Sequence, residues 1–475
     1  MGASTEEVLD RLSHPLPVHI HSAPPVVTGT DKAAAAIDRK RARKNPGDER
    51  SPRKPDLAPL RDGDRRDLVA TPWELLATLA RATTLARQGR GRGLAEHWQA
   101  LKYCQALAGN SFGRLTLTDE GQTPEQSYRA MQARELGRAF GLAVAERAVR
   151  HRFPDRLIST VDAEPVLLAG FAKSGSRPAL GARPRPDFFI EAWRPGEPSS
   201  VFVVTVNGNH QVATKRTSKA DRSAFLQLAR AGERAEHLHL GEWNTTPCLL
   251  MSTELLAQEG IVVNALQAPG SGLLPPRPAE GRGSANVNPE AAEGPPEKNL
   301  TYAGAVPLPP AQDGVARFHD GFFVPRRHLA WFAQVLARTS AAAQLAFAGA
   351  GEEIAPYLTT KQGRKHYAQR TFAGSSSVRD ASHDMGPAHF VGTDQVFRLG
   401  GNRVEAFSGM ATDLYELLAA GRVEEYRHRA YERRGTWPSE VTAPKWGPVS
   451  FGDDGTVMAL RMLPPRANTS PAPHP

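Results

Sequence analysis

Two strand-like runs within residues 185–211, RPDFFIEAWRPGEPSSVFVVTVNGNHQ, carry the side chains best suited to chemistry in this chain. Side chains alternate along a strand, so the first run places Asp187 and Glu191 on one face. A Pro-Gly turn predicts a hairpin, which lets Thr205 and Asn207 of the second run share that face. Two carboxylates at one place are oxygen ligands for Mg²⁺, and a metal-bound water can attack a phosphodiester. The hairpin therefore predicts a magnesium site built on Asp187 and Glu191.

The elements around the hairpin supply further candidates for this site. Glu135 lies on a long predicted helix before the hairpin and can approach from a helix packed on the sheet. Hydrolysis of this kind usually needs a lysine that positions the water and offsets charge. Asn207 cannot act as an ammonium, so we expect Lys215 or Lys219, eight and twelve residues later, to swing back. Lys215 is the first candidate for the charge-neutralising residue.

This pattern resembles the PD-(D/E)XK nuclease superfamily over about residues 127–266. Pro186-Asp187 is similar to the first motif of that family, and Glu135 in RELGRAFG is similar to the acid on its first helix. Gly208 follows the second strand as in the family, and Gln227 resembles the glutamine of its RecB-like branch.

The second motif of the family, Asp/Glu-x-Lys, is replaced here by Thr205-Val206-Asn207. The resemblance implies a restriction-endonuclease-like α/β fold, a mixed sheet with flanking helices. It also implies Mg²⁺ and a nucleic-acid partner, DNA more than RNA. Because the Asp/Glu-x-Lys motif is missing, the active site is expected to be either relocated or degenerate. Its candidate residues are Asp187, Glu191, Glu135, Asn207 and Lys215.

Three hypotheses about function follow from these residues. In the first, the chain hydrolyses phosphodiesters with Mg²⁺ through a relocated site. In the second, the nuclease-like fold has lost its chemistry and is a binding or scaffold protein. In the third, neither region touches nucleic acid, and the net charge of +9 reflects arginine-rich composition alone.

Composition along the chain predicts five segments. The segments are a disordered basic tail (1–68), the nuclease-like domain (69–267), a Pro/Gly-rich linker (268–299), a C-terminal α+β domain of unknown role (300–464) and a disordered tail (465–475). The basic tail contains RKRARKNPGDERSPRK, with eight Lys or Arg against two acids. Such a tail either binds phosphates or stays a solvated arm.

The remaining bulk features concern compartment and membrane. The two cysteines, Cys104 and Cys248, lie in apolar contexts and are predicted to fill core positions in a reducing cytoplasm. No apolar run approaches the roughly 18–20 residues that span a bilayer, so no membrane partner is expected. The composition does not predict an oligomeric state.

Overall fold

The structure is a computed structural model of the 475-residue chain. It describes residues 3–44, 53–85, 96–122, 125–170, 185–210, 218–241, 246–256, 259–277, 306–307, 318–319, 321–359, 362–367, 378–386, 388–438 and 446–464. The predicted tail 465–475 lies outside the described residues.

The first part of the chain is folded, and the prediction of a disordered tail over residues 1–68 was wrong for the described part of it. Its elements, with those that follow them, are α1 (Thr5–Ser13), β1 (Leu16–His21), α2 (Pro24–Lys44), β2 (Leu68–Ala70), α3 (Pro72–Thr83), a 3-10 segment (Glu96–Tyr103), β3 (Leu107–Gly109), β4 (Leu115–Leu117) and α4 (Asp119–Gln122). Val18 and Ile20 are buried because β1 pairs with two neighbouring strands of the main sheet. Helix α2 buries Val26 and Ala34. Tertiary partners, which composition does not reveal, supply the apolar surface that orders this segment.

The predicted nuclease-like region contains the main sheet. Its elements are α5 (Gln126–Arg152), β5 (Leu157–Asp162), α6 (Ala163–Gly170), β6 (Phe188–Trp193), β7 (Ser199–His210), α7 (Ser218–Glu236), β8 (Leu238–Gly241), β9 (Cys248–Leu256), β10 (Gly260–Ala268) and β11 (Leu273–Leu274). The strand order is β2-β1-β10-β9-β7-β6-β5, with β11 on the edge of β7. Strands β5, β6 and β7 form an antiparallel meander, and β9 runs parallel to β7 after the crossover helix α7. The predicted mixed α/β sheet is therefore confirmed in this coarse form.

The C-terminal part is α+β, as predicted. Its elements are β12 (Val306–Pro307), β13 (Phe318–His319), β14 (Phe322–Pro325), α8 (Leu329–Phe347), α9 (Arg364–Tyr367), β15 (Val378–Met385), β16 (Ala388–Leu399), β17 (Asn402–Ala411), α10 (Thr412–Ala419), α11 (Val423–Glu432), β18 (Val449–Phe451) and β19 (Thr456–Met462). The last five strands form one antiparallel sheet in the order β15-β16-β17-β19-β18. The sequence pattern over residues 411–435 predicts one long helix, but the structure divides it between α10 and α11, because Gly421 between them has a φ of 79°.

Helix α5 lies unusually close to the main sheet at two glycines. A Cβ atom on Gly208 of β7 would lie 1.7 Å from the carbonyl oxygen of Ala133, and one on Gly137 would lie 2.6 Å from Gly208 Cα. Any side chain at either position would push the helix off the strand. Gly208, which the resemblance linked to the second motif, therefore has a packing role here.

The two predicted domains share one core, so the boundary drawn across residues 268–299 was wrong for its described part. Strand β10 continues to Ala268, and Leu273 pairs with Ser200 of β7. Trp73 Nε1 of α3 donates to the carbonyl oxygen of Met458 in the C-terminal sheet, at 2.8 Å. Residues 278–299 lie outside the described residues. The low-complexity stretch is shorter than its composition predicted, because its first residues complete the sheet.

The apolar run that begins at Val166 has the composition of a short strand, but in the structure it forms the helix α6, packed against α8. Both cysteines, Cys104 and Cys248, are buried as predicted. Within the described part of the chain, every helix falls short of the length and apolar character that crossing a membrane requires.

Candidate functional site

Asp187 lies at the start of β6, where the first hairpin strand meets β7. Its backbone N–H donates to the carbonyl oxygen of Val204 at 3.0 Å, and its Oδ2 accepts from the Val206 N–H at 2.9 Å. These two bonds extend the β6–β7 ladder by one residue and hold the carboxylate against the strand. Only 13% of its side chain is exposed. The predicted hairpin therefore positions Asp187 rigidly at a partly sheltered strand end.

Arg234, on α7, occupies the side of Asp187 that a metal ion would need. Its Nη1 lies 3.2 Å from Oδ1 and 3.0 Å from Oδ2 of Asp187. A second guanidinium, that of Arg138 on α5, lies 3.8 Å from Oδ1 and stacks on the Phe188 ring. Both carboxylate oxygens thus face guanidinium groups, one from each flanking helix. This arrangement neutralises Asp187 without a cation from solution.

Asn207 belongs to the same hydrogen-bond network as Asp187 and Arg234. Its Oδ1 accepts from Arg234 Nη2 at 3.0 Å, and its Nδ2 donates to the Gln227 carbonyl oxygen at 3.2 Å. The Gln227 side chain accepts from Ser252 Oγ at 2.7 Å. Asn207 and Gln227 thereby tie β7 to α7 and hold the helix that carries Arg234.

Glu191 is not a partner of Asp187, and the prediction that the two share a metal was wrong. The two residues lie on one strand face as expected, but four residues of extended chain separate them by roughly 13 Å. Glu191 is buried and accepts from Arg427 Nη1 at 3.2 Å and Nη2 at 3.4 Å. Arg277 lies 3.6 Å away on the other side. Burial raises the pKa of Glu191, but the two guanidinium groups outweigh it and leave the pKa below its ordinary value.

Arg427 comes from α11, in the C-terminal part of the chain. Its guanidinium lies 3.7 Å from the centre of the Trp193 ring. Burial lowers its pKa to about 10, and Glu191 partly offsets that effect. Glu191 is therefore half of an ion pair that fastens the two parts of the molecule together. No local sequence pattern links it to an arginine 236 positions away.

Glu135 was predicted to assist Asp187, and the structure gives it partners on the 3-10 segment instead. Its Oε2 accepts from Tyr103 Oη at 2.5 Å and lies 2.6 Å from Lys102 Nζ. Burial and the neighbouring Glu135 raise the pKa of Tyr103. The residue of α5 that reaches Asp187 is Arg138, one helical position from Gly137. Glu135 instead fastens the 3-10 segment to α5.

Lys215 lies outside the described residues, so its distance from Asp187 stays a prediction. Lys219 lies in the first turn of α7, and its side chain is also outside the described part. The residue that sequence reasoning missed is Arg234. It lies seven positions after Gln227, which is two helical turns along the same face. That spacing would have placed it over the hairpin.

Further acids flank Asp187 at the end of β5. Asp162 Oδ1 accepts from the Glu164 N–H at 2.8 Å, and Glu164 binds Arg185 at 2.6 Å. Burial raises the pKa of Asp162 to about 6, partly offset by the Arg138 guanidinium. The strand end thus holds three carboxylates and three arginines in alternation. The charges of both signs balance at this strand end. A substrate phosphate could bind one of these arginines only after that arginine breaks its ion pair with a carboxylate.

One group of side chains elsewhere has the composition of a metal site. In the described part of the chain, three ligand atoms of His383, Asp394 and Glu405 lie within 4.8 Å of one another. One imidazole and two carboxylates suit Zn²⁺ or Mn²⁺. However, His383 Nε2 lies 3.1 Å from Asp394 Oδ1, and Arg461 Nε donates to Glu405 Oε2 at 2.5 Å. The ligand atoms of this group therefore already have partners within the protein, a hydrogen bond between His383 and Asp394 and an ion pair between Glu405 and Arg461.

Comparisons with protein-family models, with curated proteins and with solved structures each give no match for this chain. Function must therefore be argued from the geometry at Asp187 and from the surfaces around it.

Proposed function

We propose that this protein binds nucleic acid through a nuclease-like core that does not hydrolyse its ligand. The observation that carries the proposal is the Arg234 guanidinium, which lies within 3.2 Å of both oxygens of Asp187. A guanidinium paired in this way supplies the charge that Mg²⁺ would supply and leaves no metal-bound water to attack phosphorus. Asn207 takes the position at which the PD-(D/E)XK family has a lysine, and here it accepts a hydrogen bond from Arg234.

Element order supports the nuclease-like part of the proposal. The chain runs from α5 through the meander β5-β6-β7, then through α7 to β9, which is parallel to β7. That is the order of helix, hairpin-containing sheet, crossover helix and further strand that the resemblance implies. A mixed sheet of this kind is compatible with several functions. The arginines paired with Asp187 are the feature that favours binding over catalysis.

Charge supports nucleic acid as the ligand. The chain carries 59 Lys and Arg against 50 Asp and Glu, with a sequence pI near 9.6. Exposed positive charge attracts polyanions over a distance of about one Debye length, roughly 8–10 Å in ordinary salt. We therefore expect binding that weakens steeply as salt is raised.

The test combines metal binding with cleavage. In titration calorimetry with Mg²⁺ and with Mn²⁺, the wild-type protein and Asp187→Ala should give the same heat. Neither protein should cleave single- or double-stranded DNA or RNA. Both proteins should still bind a labelled oligonucleotide at low salt. Metal-dependent cleavage that Asp187→Ala abolishes would establish the relocated nuclease instead.

A second variant separates a blocked site from a lost one. Arg234→Gln removes the guanidinium and its charge and leaves a shorter, neutral polar side chain. Metal binding that appears in Arg234→Gln and not in wild type would show that the arginine alone blocks the cation. Absence of nucleic-acid binding by the wild-type protein at low salt would end the proposal and favour the third hypothesis.

A further inference from the structure

A long groove runs between α2 and α7, on the outer side of the main sheet. Its volume is about 1240 Å³, large enough for several nucleotides or a peptide segment. The helices meet closely at one point, where a Cβ atom on Gly29 would lie 2.5 Å from the Phe225 ring. Arg41 on α2 binds Glu233 on α7 at 2.9 Å and closes the groove further along. The two contacts fix the spacing of the walls.

The walls of the groove are basic. Lys32, Lys40 and Lys44 line it from α2, and Arg222 and Arg230 line it from α7. All five are exposed, and none has a carboxylate partner among the residues that the structure describes. Glu233 is the one acid among the described lining residues, and it is already paired with Arg41. The groove therefore presents positive charge on both sides with nothing of its own to neutralise it.

The floor of the groove is apolar. Ile37 of α2 and Phe225 and Leu226 of α7 lie half-buried between the basic walls. An occupant must therefore offer anionic groups at its edges and flat or apolar groups at its centre. A single strand of nucleic acid meets both needs, because its phosphates follow the walls while its unpaired bases contact the floor. A duplex hides its bases and would leave the floor uncovered.

We propose that the α2–α7 groove binds single-stranded nucleic acid. This inference rests on the proposed function and assigns its ligand and its surface. The cations from Lys32 to Lys44 span twelve residues of helix, roughly 18 Å. That length suits a short site of the size range known for single-strand binders, about 4–16 nucleotides. Phe225 is the one aromatic ring on the described floor, and it supplies the stacking surface.

The experiment measures fluorescence anisotropy of a labelled twelve-nucleotide oligothymidine with the full chain at several salt concentrations. The wild-type protein should bind, and the logarithm of its association constant should fall linearly with the logarithm of the salt concentration. The double variant Lys40→Glu/Arg230→Glu should lose at least tenfold in affinity and show a shallower slope. Arg11→Glu/Arg434→Glu, which changes the net charge equally on exposed residues outside the groove, should lose less than about threefold.

Phe225→Leu tests the floor separately. It keeps the apolar contact with α2 but removes the stacking ring, and we expect a loss of roughly fivefold or more with little change in salt slope. Circular dichroism and thermal unfolding identify any variant that has lost its fold. Affinity for the single strand should exceed that for a duplex of the same length.

Each failure has its own meaning. If wild type binds neither form of nucleic acid at low salt, the proposed function fails and the groove inference fails with it. If wild type binds but the groove and control variants weaken equally, the function stands and the groove is wrong. Tighter binding of duplex, or equal binding of an oligoglutamate peptide that competes for the groove, would overturn the single-strand assignment.

Discussion

Each end of β6 places an acid beside arginine, but the surroundings differ. The pair at the Asp187 end is partly exposed and resembles a binding site, whereas the pair at the Glu191 end is a buried structural ion pair. At the Asp187 end, both acid and arginine are partly exposed, with 13% and 27% of their side chains open to solvent. At the Glu191 end, Glu191 and Arg427 are each 3% exposed. Water can replace a partner at the first end. At the second end, the buried guanidinium groups of Arg427 and Arg277 supply the charge that Glu191 needs.

The Glu191 end belongs to a seam that joins the main sheet to the C-terminal sheet. We use the word seam for the contacts Glu191–Arg427, Trp73–Met458 and His97–Ser408, the last at 2.9 Å between Nε2 and Oγ. The seam is buried, so its polar groups depend on protein partners rather than on water. The comparison therefore predicts large effects at the seam and small ones at the Asp187 end.

The largest effect should come from Glu191→Gln. The substitution keeps the shape but leaves the buried Arg427 without the carboxylate that it pairs with, while Arg277 keeps Glu424 at 2.7 Å. Removing one partner of a buried ion pair costs roughly 3–5 kcal/mol of unfolding free energy. Urea unfolding followed by circular dichroism measures it. A change below about 1 kcal/mol would show that the seam is more hydrated than its burial indicates.

Acid should weaken the seam through His97. Burial lowers the pKa of His97 from 6.5 to about 3, so the unfolded chain takes up its proton first as the pH falls. The stability that this group contributes is complete above pH 6.5 and is lost progressively between pH 6.5 and 3. At pH 5 the loss is about 2 kcal/mol. Unfolding curves of wild type and His97→Gln from pH 7.5 to 5 measure it, and equal slopes would place the acid sensitivity elsewhere.

Asp187→Asn should have a smaller effect on stability. The amide still accepts from the Val206 N–H, and Arg234 keeps its bonds to Asn207 and to the Val206 carbonyl oxygen. We expect a loss of about 1–2 kcal/mol in urea unfolding, because water reaches this pair. A loss as large as that of Glu191→Gln would erase the distinction between the two ends.

Asp162→Asn should change stability in the opposite direction, and its effect should depend on pH. The folded pKa of Asp162 is raised to about 6 from an ordinary 3.8, so protonation stabilises the fold at low pH. That stabilisation is lost as the pH rises from about 4 to 6. The asparagine, which still caps the Glu164 N–H, should make the protein relatively more stable at pH 7.5 than at pH 4. Thermal unfolding at the two pH values tests the sign.

The hairpin and the crossover helix could be predicted because their signals are local. Alternating apolar residues around a Pro-Gly turn predict β6 and β7, and the start Ser218 with Asp221 predicts α7. Asp187 was correctly placed at the strand end for the same reason. Arg234 was within reach of sequence reasoning, since helical spacing from Gln227 sets its face.

The N-terminal segment and the partners of the acids could not be predicted in this way. Six residues of β1 carry two buried apolar side chains, too few to signal a strand in a basic, proline-containing context. Their burial comes from β2 and β10, which lie about 50 and 240 positions away. Glu191 was assigned to Asp187 because both share a strand face, but a face does not reveal what packs on it.

The sequence by itself determined the hairpin, the crossover helix, the position of Asp187 and the absence of a lysine at Asn207, because periodicity and residue type act over a few positions. The tertiary structure alone decided that Arg234 and Arg138 neutralise Asp187, that Arg427 takes Glu191, and that α2 and α7 form a basic groove. Those outcomes depend on contacts between distant segments, whose energies are set by which charges are buried together.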